Sequence, residues 1–212
     1  MQMIERMERY FEYGEKEIGH LKRSDLKLAD AIDKIGKINR AVDADFFSSL
    51  VRSIIGQQIS TQAQKTIWTR MKDGVGDITP ENMDKLTEEE IQKFGVSFRK
   101  ASYIKSAAAK IRSGELDVSA LQNLSDEDVI KELLKLKGVG VWTAEMLMIF
   151  SMCRPDIISY GDLAIRRGMC MLYGLDEIDK PTFEKRRKLY SPYGSVASLY
   201  IWAIAGGALD RP

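Results

Sequence analysis

The stretch Leu136-Lys137-Gly138-Val139-Gly140-Val141-Trp142-Thr143-Ala144-Glu145 constrains the fold more than any other part of the chain. One helical segment runs into two glycines a single residue apart, and a second helical segment leaves them. The chain therefore has to turn sharply between two helices. Glycine at 138 and 140 permits positive φ and removes the Cβ atoms that would keep another backbone away. Leu136, Val139 and Val141 are expected beneath the turn, holding the helices together. Such a turn directs backbone N–H groups outward from a helix start, a geometry that suits a phosphate of a nucleic acid strand. A lone Gly-x-Gly is a weak signal, because ordinary helical corners contain it. It is strengthened by Gly161-Asp162-Leu163-Ala164-Ile165-Arg166-Arg167-Gly168, which follows one helix and one loop later.

Helical spacing continues through almost the whole chain. Residues 45–55 put Phe46, Phe47, Leu50, Val51 and Ile54 on one face. Gly56 ends that helix, and Ser60 is placed to cap the next, expected to run to about Lys72. Thr79-Pro80-Glu81 and Thr87-Glu88-Glu89-Glu90 read as helix starts, each a capping hydroxyl followed by acids that suit the positive end of the helix dipole. A longer amphipathic helix is expected over 97–112, with Ala107-Ala108-Ala109 as ordinary filler. Ser125 and Asp128 are spaced as a capping box for the helix that enters the glycine turn. Beyond the turn, helices are expected over 141–152, from Asp162 to about Leu172, over 182–190 and over 195–206. The N-terminal part, 3–43, also reads as helix, broken near Gly19 and Gly36. No segment alternates as the strands of a sheet would, and nothing repeats at a fixed period. The expected fold class is all-α.

Composition narrows the function classes. A chain of 212 residues has room for one sizeable domain or two small lobes. With 44% hydrophobic and 30% charged residues and no apolar run of membrane-spanning length, neither disorder nor a membrane partner is expected. The first residues alternate acids and bases without the apolar core of a secretory signal. Cys153 and Cys170 are the only cysteines, too few for a disulfide scaffold or a four-cysteine metal or iron–sulfur site. An intracellular, reduced protein is expected, with both thiols packed as small buried residues. His20, the only histidine, lies in a polar stretch and reads as a surface residue, so no metal site is expected. The net charge of +1 does not decide whether the partner is a polyanion. Its distribution is segregated: acids dominate 77–90, while Lys93, Arg99, Lys100, Lys105, Lys110 and Arg112 make every charge of 91–112 basic. Such a pattern suits either a basic face or a solvated helix surface.

Four blocks in order carry a family resemblance: Leu50-Val51-Arg52-Ser53-Ile54-Ile55-Gly56-Gln57-Gln58-Ile59-Ser60, then Arg99-Lys100-Ala101 with Ile104, then the glycine turn, then the Asp162–Gly168 segment. Together they resemble the helix-hairpin-helix DNA glycosylase superfamily, and within it the 3-methyladenine DNA glycosylase II branch, which acts on alkylated purines. The resemblance covers about residues 40–208. It implies two helical lobes with a DNA-binding cleft between them, within a single unit of residues 1–212. One lobe is expected over about 40–135 with the hairpin 136–144 at its end, the other over about 1–39 plus 145–212. It also implies a monomer acting on double-stranded DNA with damaged bases, near the chromosome, without a cofactor. A monovalent cation at the hairpin carbonyls is implied only when DNA binds.

Breaking an N-glycosidic bond builds oxocarbenium character on the sugar, and a nearby carboxylate lowers that barrier and orients or deprotonates the attacking water. The resemblance assigns this role to Asp162, which opens a predicted helix where N–H groups favour a negative charge. On its own, Asp before an apolar helix is an ordinary N-cap. Arg166, one turn on, is placed to pair with Asp162 or to contact a phosphate. Trp142 stands where relatives that also cut the backbone carry a Schiff-base lysine, and the nearest lysine, Lys137, lies at the leading edge of the turn. Hydrolysis without lyase activity is therefore expected. The indole suits stacking on a flipped cationic base, and by spacing alone it is also a core residue for the helix junction.

Tyr160, Tyr193 and Trp202 complete the pocket candidates, although aromatics on apolar helices are usually core. For DNA contact the candidates are Lys137, Gly138, Val139, Gly140 and Thr143, with Arg166, and with Gln57 and Gln58. Gln58 falls where relatives carry a side chain that fills the gap left by an extruded nucleotide. The loop 158–161 lacks the proline that the family often places before its aspartate, so a less rigid loop is expected. Two other readings stay open: the same fold acting on uracil, a deaminated purine or an oxidised base, and a DNA-binding module without catalysis. Against the second, gripping a polyanion gives no reason to place a carboxylate at 162.

Overall fold

The structure, a computed structural model, describes residues 9–209, so the part of the expected N-terminal helix at 3–8 lies outside the described residues. In chain order the elements are β1 (Arg9–Tyr10), α1 (Glu15–Ser24), α2 (Leu26–Ile35), β2 (Ala41–Val42), α3 (Phe46–Gly56), α4 (Thr61–Val75), α5 (Pro80–Lys85), α6 (Glu88–Gln92), α7 (Phe98–Arg112), a 3₁₀ turn (Ala120–Asn123), α8 (Asp126–Leu133), α9 (Val141–Phe150), α10 (Leu163–Tyr173), α11 (Lys180–Tyr190) and α12 (Gly194–Ala205). Among the described residues the fold is all-α apart from a two-residue antiparallel ladder, Arg9 opposite Val42 and Tyr10 opposite Ala41. No described helix is long and apolar enough to cross a membrane. The described residues form two compact units: Asp43–Leu147, and residues 9–42 together with 148–209.

The Asp43–Leu147 unit follows its local signals closely. Ser60, Thr79, Thr87, Ser97 and Ser125 each accept a backbone N–H three residues on, at 3.2–3.3 Å, and so start α4 to α8. Glu90 closes the box at α6 by accepting the Thr87 N–H at 2.7 Å. Phe46, Phe47, Leu50, Val51 and Ile54 are buried along one face of α3, as the periodicity predicts. A fully buried side chain of this size contributes about 1.5–3 kcal/mol. Ala107 and Ala108 are buried on α7 rather than serving as filler; small side chains let α7 approach its neighbours closely. The segregated charges pair with one another. Asp84 of α5 accepts an ion pair from Lys105 at 3.6 Å and one from Arg112, both on α7, and Lys110 pairs with Glu115. The basic run is thereby partly neutralised within its own unit, leaving Lys93 and Arg99 exposed.

In the other unit α12 is the central element, buried along nearly its whole length. Gly168 of α10 lies so close to α12 that a Cβ there would strike the backbone carbonyl of Ile201. The N-terminal helix breaks at Asp25, not at Gly19, which sits inside α1. Asp25 caps α2 by accepting the N–H groups of Lys27 (2.9 Å) and Leu28 (3.0 Å), and its other oxygen accepts the Tyr173 hydroxyl at 2.5 Å. Burial, the neighbouring Tyr190 and Asp25 push the Tyr173 phenol well above the usual tyrosine range. Residues 9–14 are extended rather than helical, because the Phe11 N–H reaches the Arg40 carbonyl at 2.8 Å and the Phe11 ring is buried. Gly36 does end α2, at φ 74°. Helix α9 stops two residues short of the expected 152. Cys153 takes φ 53°, and the Arg154 N–H turns back to the Met148 carbonyl at 2.8 Å. Cys153 is exposed rather than packed inside.

Substituting Gly168→Ala is expected to lower stability by about 1–3 kcal/mol through overpacking against α12. The check is the urea midpoint at unchanged slope; a variant as stable as the parent would show that α10 and α12 separate without cost.

Candidate nucleic-acid interface and catalytic loop

Within the Asp43–Leu147 unit the glycine hairpin forms as a turn between α8 and α9. Gly138 takes φ 81° and the Val139 N–H reaches the Leu136 carbonyl at 3.2 Å. A Cβ on Gly138 would run into the Tyr103 ring of α7. Gly140 does not use a positive φ; nothing lies within 4 Å of where its Cβ would stand, which leaves its backbone open to close approach. The Gly140 carbonyl accepts the Ala144 N–H at 3.0 Å, so α9 begins at this exposed glycine, where the first N–H groups have no partner within the helix. Leu136 and Val139 are buried under the turn, whereas Val141 is 50% exposed, because the first turn of α9 rotates it away from the core. Lys137 is exposed. Trp142 is 45% exposed, so it does not fill the helix junction as a core residue. Thr143, expected at DNA, is 4% exposed, so its side chain is largely covered.

The turn after α3 is built onto this hairpin. The Gln57 amide, expected at DNA, is half-buried and donates from Nε2 to the Gly138 carbonyl at 2.8 Å. Gln58 follows with φ 56°, one of two non-glycine residues with positive φ among those described, and it is exposed. That conformation costs about 1–3 kcal/mol unless its surroundings hold it. Lys100 of α7 donates from Nζ to the carbonyls of Ile55 (2.9 Å) and Gln57 (2.6 Å). Sequence reading placed Lys100 in a basic run and in the second of the four resemblance blocks but gave it no role; a lysine beneath a helix C-terminus has no local signature.

In the other unit Asp162 is the N-cap of α10. Its Oδ1 accepts the N–H groups of Ala164 at 2.8 Å and Ile165 at 3.0 Å, and the residue is 9% exposed. Two N–H donors on one oxygen hold the carboxyl group in a single orientation at the positive end of the helix. The preceding loop, which lacks a proline, is tied down by hydrogen bonds. Ile157, Ile158 and Ser159 are buried, and α12 bonds the loop at residues 154–157. The Ser195 hydroxyl donates to the Arg154 carbonyl at 2.5 Å and accepts the Ile157 N–H at 3.0 Å, while the Ser195 N–H donates to the Pro155 carbonyl at 3.0 Å. The Ser198 hydroxyl donates to the Ile157 carbonyl at 3.0 Å. Asp156 accepts the Ser191 hydroxyl at 2.5 Å and the Gly194 N–H at 2.9 Å. Serines inside an apolar helix are the signal that sequence reading passed over.

Around this loop the aromatic candidates fall into separate contacts. Tyr160 meets Phe183 edge to face at 5.1 Å, and the Arg166 guanidinium lies 5.3 Å from the Tyr160 ring centre. The buried Nε of Arg166 has no hydrogen-bond partner among the described residues. Tyr193 packs edge to face at 5.2 Å on His20, which is half-buried rather than at the surface. Trp202 stacks on Phe150 at 5.5 Å, and Arg40 lies 4.7 Å from the Phe150 ring centre. Burial pulls the Arg40 guanidinium below its ordinary pKa. Among the described residues no group of three His, Cys, Asp or Glu side chains is placed to hold a metal ion.

Comparison with known proteins bears on the same segments. Residues 51–192 match the profile of the HhH-GPD superfamily of base excision DNA repair proteins. The crystal structure of a DNA-3-methyladenine glycosidase from Bacillus halodurans superposes with a TM-score of 0.86 at 36% identity, covering 96% of this chain and 95% of that one. A 3-methyladenine DNA glycosylase of Schizosaccharomyces pombe, solved in complex with abasic DNA, superposes with a TM-score of 0.77 at 30% identity, covering 89% of this chain and 95% of that one. A Bacillus subtilis protein is 30% identical over 172 residues, 76% of this chain; the chain spans 59% of that relative's length.

Two substitutions test the local architecture. Gly138→Ala places a methyl group against Tyr103 at a φ that L residues avoid, with an expected loss of about 1–3 kcal/mol. Ser195→Ala strips the buried Ile157 N–H of its acceptor, with a loss of similar size, about 1–3 kcal/mol. Denaturant midpoints read both, and no change in either would mean that the corresponding contact carries no weight.

Proposed function

Since the chain belongs to the HhH-GPD superfamily of base excision DNA repair proteins, we propose that it is a monofunctional DNA glycosylase for alkylated purines of the 3-methyladenine and 7-methylguanine type, working as a monomer on double-stranded DNA inside the cell. The observation that carries this reading is the Asp162 carboxyl group, held by two N–H donors at the start of α10 in a loop clamped by α12. The 3-methyladenine names of the two solved relatives support the substrate class.

The chemistry follows from the charge of the lesion. A purine alkylated on a ring nitrogen is cationic, so it leaves with the electron pair of its bond to C1′ as a neutral base and needs little acid catalysis. The sugar then takes on oxocarbenium character, which the Asp162 carboxylate stabilises at close range. A water molecule forms the new bond to C1′, and its proton passes to the carboxylate and on to solvent. The product is an abasic site. The half-exposed Trp142 supplies an aromatic face, which attracts a cationic base more strongly than a neutral one. Tyr160, Tyr193 and Trp202 are the further wall candidates. No amine stands at position 142, which supports hydrolysis over Schiff-base chemistry and strand cleavage.

The hairpin serves to grip phosphate. Val139 and Gly140 offer backbone, Lys137 offers charge, and the open space at Gly140 admits a strand. Gln58, exposed and held at positive φ, is the side chain proposed to occupy the gap left by the flipped nucleotide. The hairpin carbonyls are neutral oxygens of the kind that suits a monovalent cation on DNA binding; the Gly138 carbonyl already accepts from Gln57, so its neighbours would carry that contact.

Methylated duplex DNA incubated with the protein is expected to release 3-methyladenine or 7-methylguanine. Asp162→Asn is expected to lower release by about 100-fold or more while DNA binding persists. Strong binding with no base released by the parent protein would overturn the glycosylase reading. Borohydride is expected to trap no covalent complex; a trapped one would overturn the assignment of hydrolysis alone.

A further inference from the structure

The block Arg99-Lys100-Ala101 has no part in the chemistry just described, yet Lys100 makes two polar contacts far along the chain. Its ammonium donates to two carbonyls at the end of α3, Ile55 at 2.9 Å and Gln57 at 2.6 Å. Carbonyls in the last turn of a helix lack partners within the helix, and here a charged donor satisfies them at close range. The second of the two belongs to the residue directly before Gln58, whose φ of 56° a non-glycine side chain keeps only when its surroundings hold it. Gln57 also reaches across to the Gly138 carbonyl at 2.8 Å, and Gly138 lies against Tyr103, one turn of α7 beyond Lys100. One helix thus braces both the turn and the hairpin. Burial, and then the adjacent Arg99, lower the Lys100 pKa, as expected of a lysine turned into the protein rather than out to phosphate.

We propose that Lys100 is a positioning residue for nucleotide displacement: it holds residues 55–58 as a rigid base from which Gln58 enters the duplex. The inference rests on the glycosylase reading above and adds to it the residue that fixes the displacing turn. A lysine that contacted DNA phosphate directly would behave differently, because its loss would reduce the salt dependence of binding. Arg99, exposed beside it, is the internal comparison.

The test uses Lys100→Met and Lys100→Arg in the full chain, with 2-aminopurine placed beside an abasic-site analogue in duplex DNA. The expected result for Lys100→Met is binding with an unchanged salt slope but loss of the fluorescence rise that reports unstacking. Single-turnover release of 7-methylguanine is expected to fall by about tenfold or more from paired duplex, and by less than about threefold when the lesion sits in an unpaired bubble. Lys100→Arg, which keeps charged donors at similar reach, is expected to restore most of both signals. Equal losses on paired and bubble substrates, an unchanged fluorescence rise, or a reduced salt slope would each overturn the proposal. Should methionine prevent folding, Lys100→Gln carries the same comparison. Wild-type protein that unstacks 2-aminopurine but releases no base would sink the glycosylase reading and leave this one standing.

Discussion

A carboxylate that caps its own helix cannot move unless the helix start moves with it. Asp162 gives Oδ1 to the N–H groups of Ala164 and Ile165, so its position is that of the first turn of α10. That turn is fixed in its own right. Gly168 brings α10 against the backbone of Ile201, and the hydroxyls of Ser195 and Ser198 pin residues 154–157 to the same helix, α12. In the catalytic role proposed for Asp162, an orientation set in advance is an advantage, since no reorganisation is then needed as the bond breaks. The nearly complete burial of α12 is what makes it a fit anchor.

The Asp43–Leu147 unit solves a different problem with similar means. A backbone proposed to receive phosphate has to be bare on one side and braced on the other. Gly140 is bare, with nothing near its Cβ position, and Gly138 is braced by Tyr103 and by the Gln57 amide. The two glycines are therefore not equivalent, since Gly138 supplies the positive φ and Gly140 the open space. Val141 and Trp142, exposed at the start of α9, sit beside that open backbone rather than in the core. Neither the hairpin nor the turn after α3 stands alone, because Lys100 and Gln57 join them through two carbonyls and an amide.

What could be read in advance was whatever depends on near neighbours in the chain. Ser60, Thr79, Thr87, Ser97 and Ser125 announce their helices because a cap acts across three residues, and the structure places each in that role. The face of α3 follows from helical spacing in the same way. Local reasoning misjudged Gly19, since a glycine inside a helix costs less than the gain from Asp25 capping the next one. It also missed the pairing of Asp84 with Lys105 and Arg112, which cancels charges more than twenty residues apart.

By itself, then, the sequence determined an all-α chain, its helix starts, the glycine turn and the aspartate that opens α10, all of them consequences of short-range sterics and hydrogen bonding. Only the tertiary structure decided that Thr143 is buried, that Gln57 bonds the hairpin, that Arg166 lies over Tyr160, and that serines of α12 bond the loop that has no proline. Each of those outcomes depends on which polar group lies nearest once distant segments have packed, and partners dozens of residues away leave no periodic trace in the chain.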